Sequence, residues 1–339
     1  MNSRHPERSD GSLTFNCIRV EKSGSKIAGK LAQMRLSDLD QGEVVLKVAY
    51  SSVNYKDALG VTGTGDIYKK LPIVAGIDVS GTVLESQDPR YKTGDKVLVT
   101  GCGLGEKHDG GYSELLRVPA DWVVKLPVQL TELEAMIYGT AGFTTALAIH
   151  QMERMGQTPK LGKMVVTGAS GGVGSFAVSM MSRLGYEVVA VTGKPDRKAE
   201  LVELGAAEVI GTEALGIGDK PMERIEWGGA IDNVGGKLLA GLVKKTNLWG
   251  SVASIGLAGG ANFEASVFPH ILRGVNILGI SSTNCPMDLR AKLWTRLATE
   301  LKPKNLAGFV TETLNLRDVP SFCEKMIARK TSGRAVVKL

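Results

Sequence analysis

Cysteine and histidine are scarce, four of each in 339 residues. Cys17, Cys102, Cys285 and Cys323 lie far apart, with no pair at the close spacing of a zinc knuckle or a redox dithiol. A disulfide scaffold and a cysteine metal centre are therefore excluded, and the thiols read as free packing residues. His5 lies near the start, and His108, His150 and His270 have no ligand partner at a recognisable spacing, so no catalytic metal is expected. No apolar run reaches the roughly 18 residues of a membrane span. The polar stretch Met1–Ser12 has no apolar segment that could act as a secretory signal and reads as a frayed tail of a cytoplasmic protein. Blocks of about five like charges are absent and the net charge of +6 is dispersed, which gives no argument for nucleic acid but is compatible with a phosphate-rich ligand. No internal repeat is evident. What remains is ordinary globular composition, 43% hydrophobic and 22% charged, long enough for two domains.

Glycine is the residue in excess, and at one place its spacing carries chemistry. Met164 to Thr167 is a short β-favouring run, followed by Gly168-Ala-Ser-Gly-Gly-Val-Gly-Ser175 and a largely apolar helix through Phe176, Val178, Met180, Met181 and Leu184. Glu187 to Val191 is a second apolar strand, completing a βαβ unit. With 42 glycines in the chain a loose glycine pattern would arise by chance, so the flanking strand and helix decide. In this frame Ala169 takes the first small-residue position, Gly171 lets the backbone approach a diphosphate, and Gly174 lets the helix lie close to its strand. Ser170, Gly171, Gly172 and Val173 are the candidate diphosphate contacts, with the helix N-terminus meeting the charge.

An acidic residue to bind a ribose diol is expected about 20 positions beyond the glycines, and none is there. The second strand ends in Thr192-Gly193-Lys194-Pro195, with Arg197 just beyond. A hydroxyl, an approachable backbone and a cation suit a ribose phosphate, so the cofactor expected is NADPH rather than NADH.

The remainder divides into two domains. Before the glycine loop, Gln41 to Val53, Val79 to Leu84 and Lys96 to Thr100 read as strands of a β-rich, barrel-like domain. Leu133 to Met155 reads as largely helical despite Gly139 and Gly142. Beyond the βαβ unit come a helix over Asp196 to Leu204, a strand near Gly229 to Ile231, a helix around Lys237 to Lys245, and strands at Ser251 to Ile255 and Val275 to Ile280. That alternation predicts an α/β domain with a doubly wound parallel sheet. Leu289, Leu293, Leu297 and Leu301 give a helix with one apolar stripe. Gly308 to Leu314 and Arg334 to Leu339 read as strands flanking a helix over Val319 to Arg329 that rejoin the first domain.

Asn54-Tyr-Lys-Asp57, Gly76-Ile-Asp-Val-Ser-Gly81, Tyr138-Gly-Thr-Ala-Gly-Phe143, Val166-Thr-Gly-Ala-Ser-Gly-Gly-Val-Gly174, Gly229-Ala-Ile-Asp232 and Gly256-Leu-Ala-Gly-Gly260 together carry a resemblance. The chain resembles the zinc-free medium-chain dehydrogenase/reductase superfamily, in its acrylyl-CoA reductase and quinone oxidoreductase-like branch. The resemblance implies a GroES-like catalytic domain (residues 13–134 and 301–339) interrupted by a Rossmann NADP-binding domain (135–300). It also implies NADPH, a homodimer, and reduction of an activated carbon–carbon double bond. Zinc-dependent relatives carry a histidine and a glutamate after the glycine corresponding to Gly76, plus a cysteine-rich lobe. This chain has neither.

The candidates for the chemistry lie in Ser51-Ser-Val-Asn-Tyr-Lys-Asp57. Tyr55 at the end of a strand reads on its own as a packing residue; the matching motif makes it a site residue. It would bond to the nicotinamide ribose or the enolate oxygen, or supply the proton, which water is an alternative source of. Asn54 would orient the carboxamide or the substrate carbonyl, with Lys56 and Asp57 as a supporting pair. Further candidate cofactor contacts are Thr144 on the helix before the first cofactor strand, Leu257, Ile280 and Ser282 after strands of the parallel sheet, and Arg334, where the related branch also has a basic residue that would meet a phosphate. Thr140, Ala141, Gly142 and Thr144 equally fit simple helix packing, and Arg334 equally fits a lone surface arginine. Relatives usually have an aspartate where this chain has Ser281 and Ser282, so at this point the resemblance does not carry over the geometry beside the nicotinamide or, with it, the acrylyl-CoA substrate. Lys69, Lys70, Arg290 and Lys292 are candidates for a basic patch holding coenzyme A phosphates. Three functions fit: a short-chain enoyl-CoA reductase, a reductase of quinones or α,β-unsaturated carbonyls, and a non-enzymatic NADPH-binding protein.

Overall fold

The computed structural model describes residues 14–339, so the tail expected over residues 1–12 lies outside them. In chain order the first elements are strands β1 (Thr14–Ser23), β2 (Lys26–Arg35) and β3 (Val44–Val53), helix α1 (Tyr55–Val61), and strands β4 (Ile73–Val74), β5 (Asp78–Ser86), β6 (Lys96–Thr100), β7 (Leu115–Val118) and β8 (Val124–Lys125). Helix α2 (Glu132–Arg154) leads to β9 (Met164–Thr167), α3 (Gly172–Arg183), β10 (Val188–Val191), α4 (Lys198–Glu203), β11 (Glu208–Ile210), β12 (Gly229–Asp232), α5 (Gly236–Lys245), β13 (Ser251–Ser254), α6 (Phe268–Arg273), β14 (Asn276–Gly279) and α7 (Met287–Ala298). The chain ends with β15 (Val310–Leu314), α8 (Val319–Ile327) and β16 (Arg334–Lys338).

The first unit comprises the described residues up to Thr140, with Thr283–Ala291 and Ala307–Leu339. It holds a three-stranded sheet ordered β2-β1-β4 and a seven-stranded sheet in which β15-β16-β3-β5-β6-β8 form the path and β7 pairs with β3. Alternation along β3 and β5 buries Val44, Leu46, Val48, Val79 and Val83 in one apolar cluster. A second cluster packs α1 and α8 together through Ala58, Val61, Val319, Phe322 and Cys323. Burying side chains of this size stabilises the fold by roughly 1.5–3 kcal/mol each. β16 pairs antiparallel with the end of β3, Val336 opposite Ser52 and Ala335 opposite Val53, which sets Arg334 beside the residues leaving β3.

The second unit comprises Ala141–Ser282 and Lys292–Leu306. Its six strands are all parallel, in the order β11-β10-β9-β12-β13-β14. Strand order reverses between β9 and β12, and ligands of open parallel sheets bind beyond the carboxyl ends of strands at such a point. The glycine loop leaves β9 there.

These boundaries differ from the expected 135–300. Helix α2 is broken at Gly139 (φ 48°, ψ −153°), so only its second stretch belongs to the parallel-sheet unit. Residues 283–291 stay with the first unit because Cys102 N–H donates to the Thr283 carbonyl at 3.0 Å and Arg290 Nη1 donates to the Thr100 carbonyl at 2.7 Å. Leu301 and Leu306, expected in the first domain, are buried in the second. The helix expected over Asp196 to Leu204 begins as a 3-10 turn at Pro195–Arg197 before α4.

Candidate functional site

In the first unit, the chain leaving β3 turns into α1 at Asn54. Asp57, at the third helical position, reaches back so that its Oδ2 accepts the Asn54 N–H at 2.9 Å, half of a capping box. Its Oδ1 accepts the Ile77 N–H at 3.0 Å. Asn54 is held at both ends of its amide: Nδ2 donates to Asp78 Oδ2 at 2.7 Å and to Asp57 Oδ2 at 3.2 Å, and Oδ1 accepts from Arg334 Nη1 at 3.1 Å. With the two amide hydrogens and the oxygen all engaged inside this unit, Asn54 shapes the turn rather than orienting a carboxamide or carbonyl.

Arg334 is buried, not a surface arginine. Besides Asn54 it donates to the carbonyls of Ile137 at 2.9 Å and Val53 at 3.2 Å and to Ser52 Oγ at 2.9 Å. These contacts tie the guanidinium to backbone and side chains of its own unit, which leaves it poorly suited to the phosphate contact expected of it. Lys56 and Asp57 are not a pair either: Lys56 bridges to Glu106, while Asp57 is fully buried. Burial, together with the nearby Asp78, pushes the Asp57 carboxyl up to about 7. Tyr55, by contrast, is 50% exposed on the first turn of α1. Of the basic-patch candidates, Arg290 is fully buried and Lys70 is paired with Asp40, whereas Lys69 is exposed.

Sequence reasoning missed the centre of this cluster. Asp78 is fully buried and accepts four hydrogen bonds: from Ser52 Oγ at 2.7 Å, Asn54 Nδ2 at 2.7 Å, Thr140 N at 2.7 Å and Thr140 Oγ1 at 2.6 Å. The available signal was an aspartate opening a strand next to the apolar Ile77 and Val79, two residues after Gly76. Gly139 is required at the helix break, since a Cβ there would lie 2.4 Å from Asp78 Oδ2 and 2.5 Å from Ser52 Oγ.

In the second unit, Gly171 is the residue before α3, and Gly172 and Val173 form its first turn. A Cβ on Gly174 would meet the Gly168 carbonyl oxygen at 2.2 Å, so only glycine lets the helix sit this close to the loop. Ser170 Oγ and Thr192 Oγ1 share a hydrogen bond at 3.0 Å, and Lys194 N–H donates to Thr192 Oγ1 at 3.1 Å. The loop after β9 and the end of β10 thus form one polar cluster containing Ser170, Thr192, Gly193 and Lys194. Arg197 is bridged to Glu200. Thr144 is buried on α2, and it is the neighbouring Thr145 whose hydroxyl reaches the Val173 carbonyl at 3.2 Å. Leu257 is exposed beyond β13, and Ile280 and Ser282 follow β14.

A second buried acid, also missed, supports the loop. Asp232 Oδ1 accepts from Thr167 Oγ1 at 2.6 Å, Asp232 Oδ2 accepts the Gly235 N–H at 2.7 Å, and Asn233 Nδ2 donates to the Thr167 carbonyl at 2.8 Å. These bonds clamp the end of β9 to the end of β12 at the point where strand order reverses. Burial raises the Asp232 carboxyl above its ordinary range. A glycine-walled helix N-terminus, the Ser170 and Thr192 hydroxyls and a lysine in the same segment fit a dinucleotide carrying a ribose phosphate.

Two family models match the chain, one described as the alcohol dehydrogenase GroES-like domain over residues 40–128 and one as zinc-binding dehydrogenase over residues 172–299. The residues present do not fit a zinc ion: Asp78 is taken by four donors, and among the described residues no three His, Cys, Asp or Glu side chains are grouped to hold a metal. The chain is 44% identical to the acrylyl-CoA reductase AcuI of Ruegeria pomeroyi over 95% of its own length and 98% of that protein's. It is 45% identical to a Bacillus subtilis protein provisionally named quinone oxidoreductase YhfP, over 97% of this chain and 100% of that one. The crystal structure of YhfP with NAD bound superposes with a TM-score of 0.94, covering 97% of this chain and 100% of YhfP. The yhdH oxidoreductase of Salmonella enterica in complex with NADP, 42% identical, superposes with a TM-score of 0.92 and covers 96% of this chain and 99% of its own. Identity of this extent over whole chains, on the same two-unit α/β architecture, makes this protein a member of the medium-chain dehydrogenase/reductase superfamily of oxidoreductases, in the branch of the acrylyl-CoA reductases and YhfP.

Proposed function

We propose that this protein uses NADPH to reduce an activated carbon–carbon double bond, that of a short-chain enoyl-CoA such as acrylyl-CoA, giving propanoyl-CoA. The observation that carries the reading is the 44% identity to an acrylyl-CoA reductase over almost the whole chain. The choice of NADPH rests on the segment joining Ser170, Thr192 and Lys194, whose hydroxyls and lysine side chain are assigned to a ribose phosphate that a carboxylate would repel. The N-terminus of α3 receives the diphosphate.

Bound NADPH supplies a hydride. A double bond conjugated to a thioester takes it at the β-carbon, and the resulting negative charge resides on the thioester oxygen, where hydrogen-bond donors stabilise it without a Lewis acid. Tyr55, exposed on a turn whose Asn54 and Asp57 face inward, is the phenol that donates to that oxygen or passes a proton to the α-carbon, water being the competing source.

A second reading, reduction of a quinone or a simple α,β-unsaturated carbonyl, is favoured by the state of the basic residues. Arg290 and Lys70 are committed within the fold, which reduces the positive charge left for coenzyme A phosphates. Following NADPH consumption with acrylyl-CoA, crotonyl-CoA and a benzoquinone separates the readings. The highest kcat/KM is expected with acrylyl-CoA; preference for the quinone selects the second reading, and no turnover with any of the three overturns both.

The reading includes a cytoplasmic homodimer. The four cysteines are all free thiols, as a reducing compartment would keep them, and no helix of the described residues is long and apolar enough to cross a membrane. Among the described residues, β14 ends its sheet with β13 as its one partner strand. Beside it, Trp249, Val267, Ile271 and Leu272 expose large apolar side chains, Trp249 and Ile271 at 69% each. A second copy joining edge to edge would cover these groups and pair the free strand. Replacing Ile271 with Asp is expected to give a monomer in sedimentation, against a dimer for the parent chain; a monomeric parent would contradict this.

A further inference from the structure

The polar cluster of the first unit is built on an acid that takes no part in the chemistry proposed above. Arg334 and Asp78 are linked twice over. Ser52 Oγ accepts from Arg334 and donates to Asp78; Asn54 accepts from Arg334 through Oδ1 and donates to Asp78 through Nδ2. Both bridging residues lie on the stretch that delivers Tyr55, Ser52 two residues before the turn and Asn54 immediately before the helix.

The same carboxyl group also receives the N–H and hydroxyl of Thr140, the first residue after the break in α2. One buried group therefore fixes the end of β3, the start of α1 and the restart of α2. Tyr112, also buried, donates its hydroxyl to the Ser52 carbonyl at 3.1 Å and closes the cluster from the other side. Unlike a surface ion pair, a buried group with four donors has one arrangement that satisfies it, and loss of that arrangement leaves several donors unpaired.

We infer that Asp78 is the positioning residue of the catalytic turn, holding Asn54 and the first turn of α1 so that Tyr55 presents its hydroxyl to substrate. The inference rests on the reading of Tyr55 as the donor. Asp78 acts through Asn54 and Ser52 and touches neither substrate nor cofactor. Its loss therefore changes kcat while the NADPH site, built on the glycine loop of the other unit, keeps its affinity.

The test is Asp78→Asn in the full chain, isosteric but unable to accept all four bonds. Two readouts are needed: steady-state kinetics with acrylyl-CoA and NADPH, and amide hydrogen exchange of the peptide spanning Tyr55–Val61. The expected result is a kcat lowered at least about tenfold, KM for NADPH changed by less than about twofold, and exchange of the α1 amides accelerated at least about tenfold. Thr140→Val, which removes a single donor and keeps the fold's volume, is expected to move both readouts in the same direction by a smaller factor, and it serves if Asp78→Asn does not fold. Unchanged exchange overturns the inference, as does accelerated exchange with kcat intact, or a KM for NADPH that rises in step with the fall in kcat. If the parent chain reduces none of the double-bond substrates, the proposed function fails, and the exchange of the α1 amides still decides whether Asp78 holds the turn.

Discussion

Arg334 and Asn54 are buried together, the guanidinium Nη1 donating to the amide Oδ1 at 3.1 Å, and this one bond decides which way the amide faces. With Oδ1 turned to Arg334, Nδ2 is directed to Asp57 and Asp78, and the turn into α1 has a single hydrogen-bonding arrangement.

Replacing Arg334 by Gln strips donors from the Val53 and Ile137 carbonyls, Ser52 and Asn54, and leaves Asp57 and Asp78 without the nearby cation. Breaking such a buried set is expected to cost about 3–5 kcal/mol, read from urea unfolding. Calorimetric affinity of the folded variant for NADPH should stay within about twofold. A large loss of affinity with little loss of stability would restore Arg334 as a phosphate ligand.

The Asp57 carboxyl, pushed up to about 7 by burial and by Asp78, makes stability depend on pH. The folded state binds this proton more tightly than the unfolded chain, where an aspartate titrates near 3.9. Its contribution is therefore fully present below about pH 4 and is lost as pH rises through about 7. The melting temperature is expected to fall between pH 5 and pH 8, and Asp57→Asn should flatten that slope. An equal slope in the variant would assign the dependence to another group.

Lys194 joins the Ser170–Thr192 cluster through its backbone N–H, and its ammonium is the charge we assign to the ribose phosphate. Lys194→Asp should weaken NADPH binding at least about tenfold, the loss of a charge-assisted contact plus repulsion, and leave NADH nearly unchanged. The NAD bound to the related YhfP makes this comparison informative. Equal losses for both cofactors would remove the phosphate assignment.

Tyr55→Phe removes only the hydroxyl of a half-exposed ring, so its effect on stability should be small. A positioned acid contributes about 100-fold or more, and kcat is expected to fall at least about tenfold. A kcat within twofold of the parent would give the proton transfer to water.

The parallel-sheet unit was the more legible half of the chain. Its strands announce themselves as short apolar runs closed by glycine: Met164–Thr167 and the strand ending at Val191 emerge where expected, and Gly174 lies where the helix approaches the loop. The first unit was harder to read. β1 and β2 were not foreseen, because β2 carries polar and small residues along a largely exposed length, and α1 was hidden by its seven residues, Gly60 and Val61 among them. Gly139 in an apolar helical stretch was read through, yet the backbone breaks there to make room for Asp78. Asp78 and Asp232 escaped for a shared reason: a buried acid is recognisable only from the donors that converge on it. Those donors come from residues 24 to 62 positions away for Asp78, and from 65 positions away for the Thr167 hydroxyl that meets Asp232. Tyr55 was singled out by its motif, whereas the inward commitment of Asn54 and Arg334 lies in long-range hydrogen bonds that no local pattern carries.

The most direct measurement follows the two hydrogens. Acrylyl-CoA is reduced with NADPH deuterated at the transferred position in ordinary water, and separately with unlabelled NADPH in deuterium oxide, and the propanoyl-CoA is read by NMR. The account predicts the cofactor's deuterium at the β-carbon and the solvent's at the α-carbon. Cofactor label at the α-carbon, or solvent label at both carbons, would contradict it.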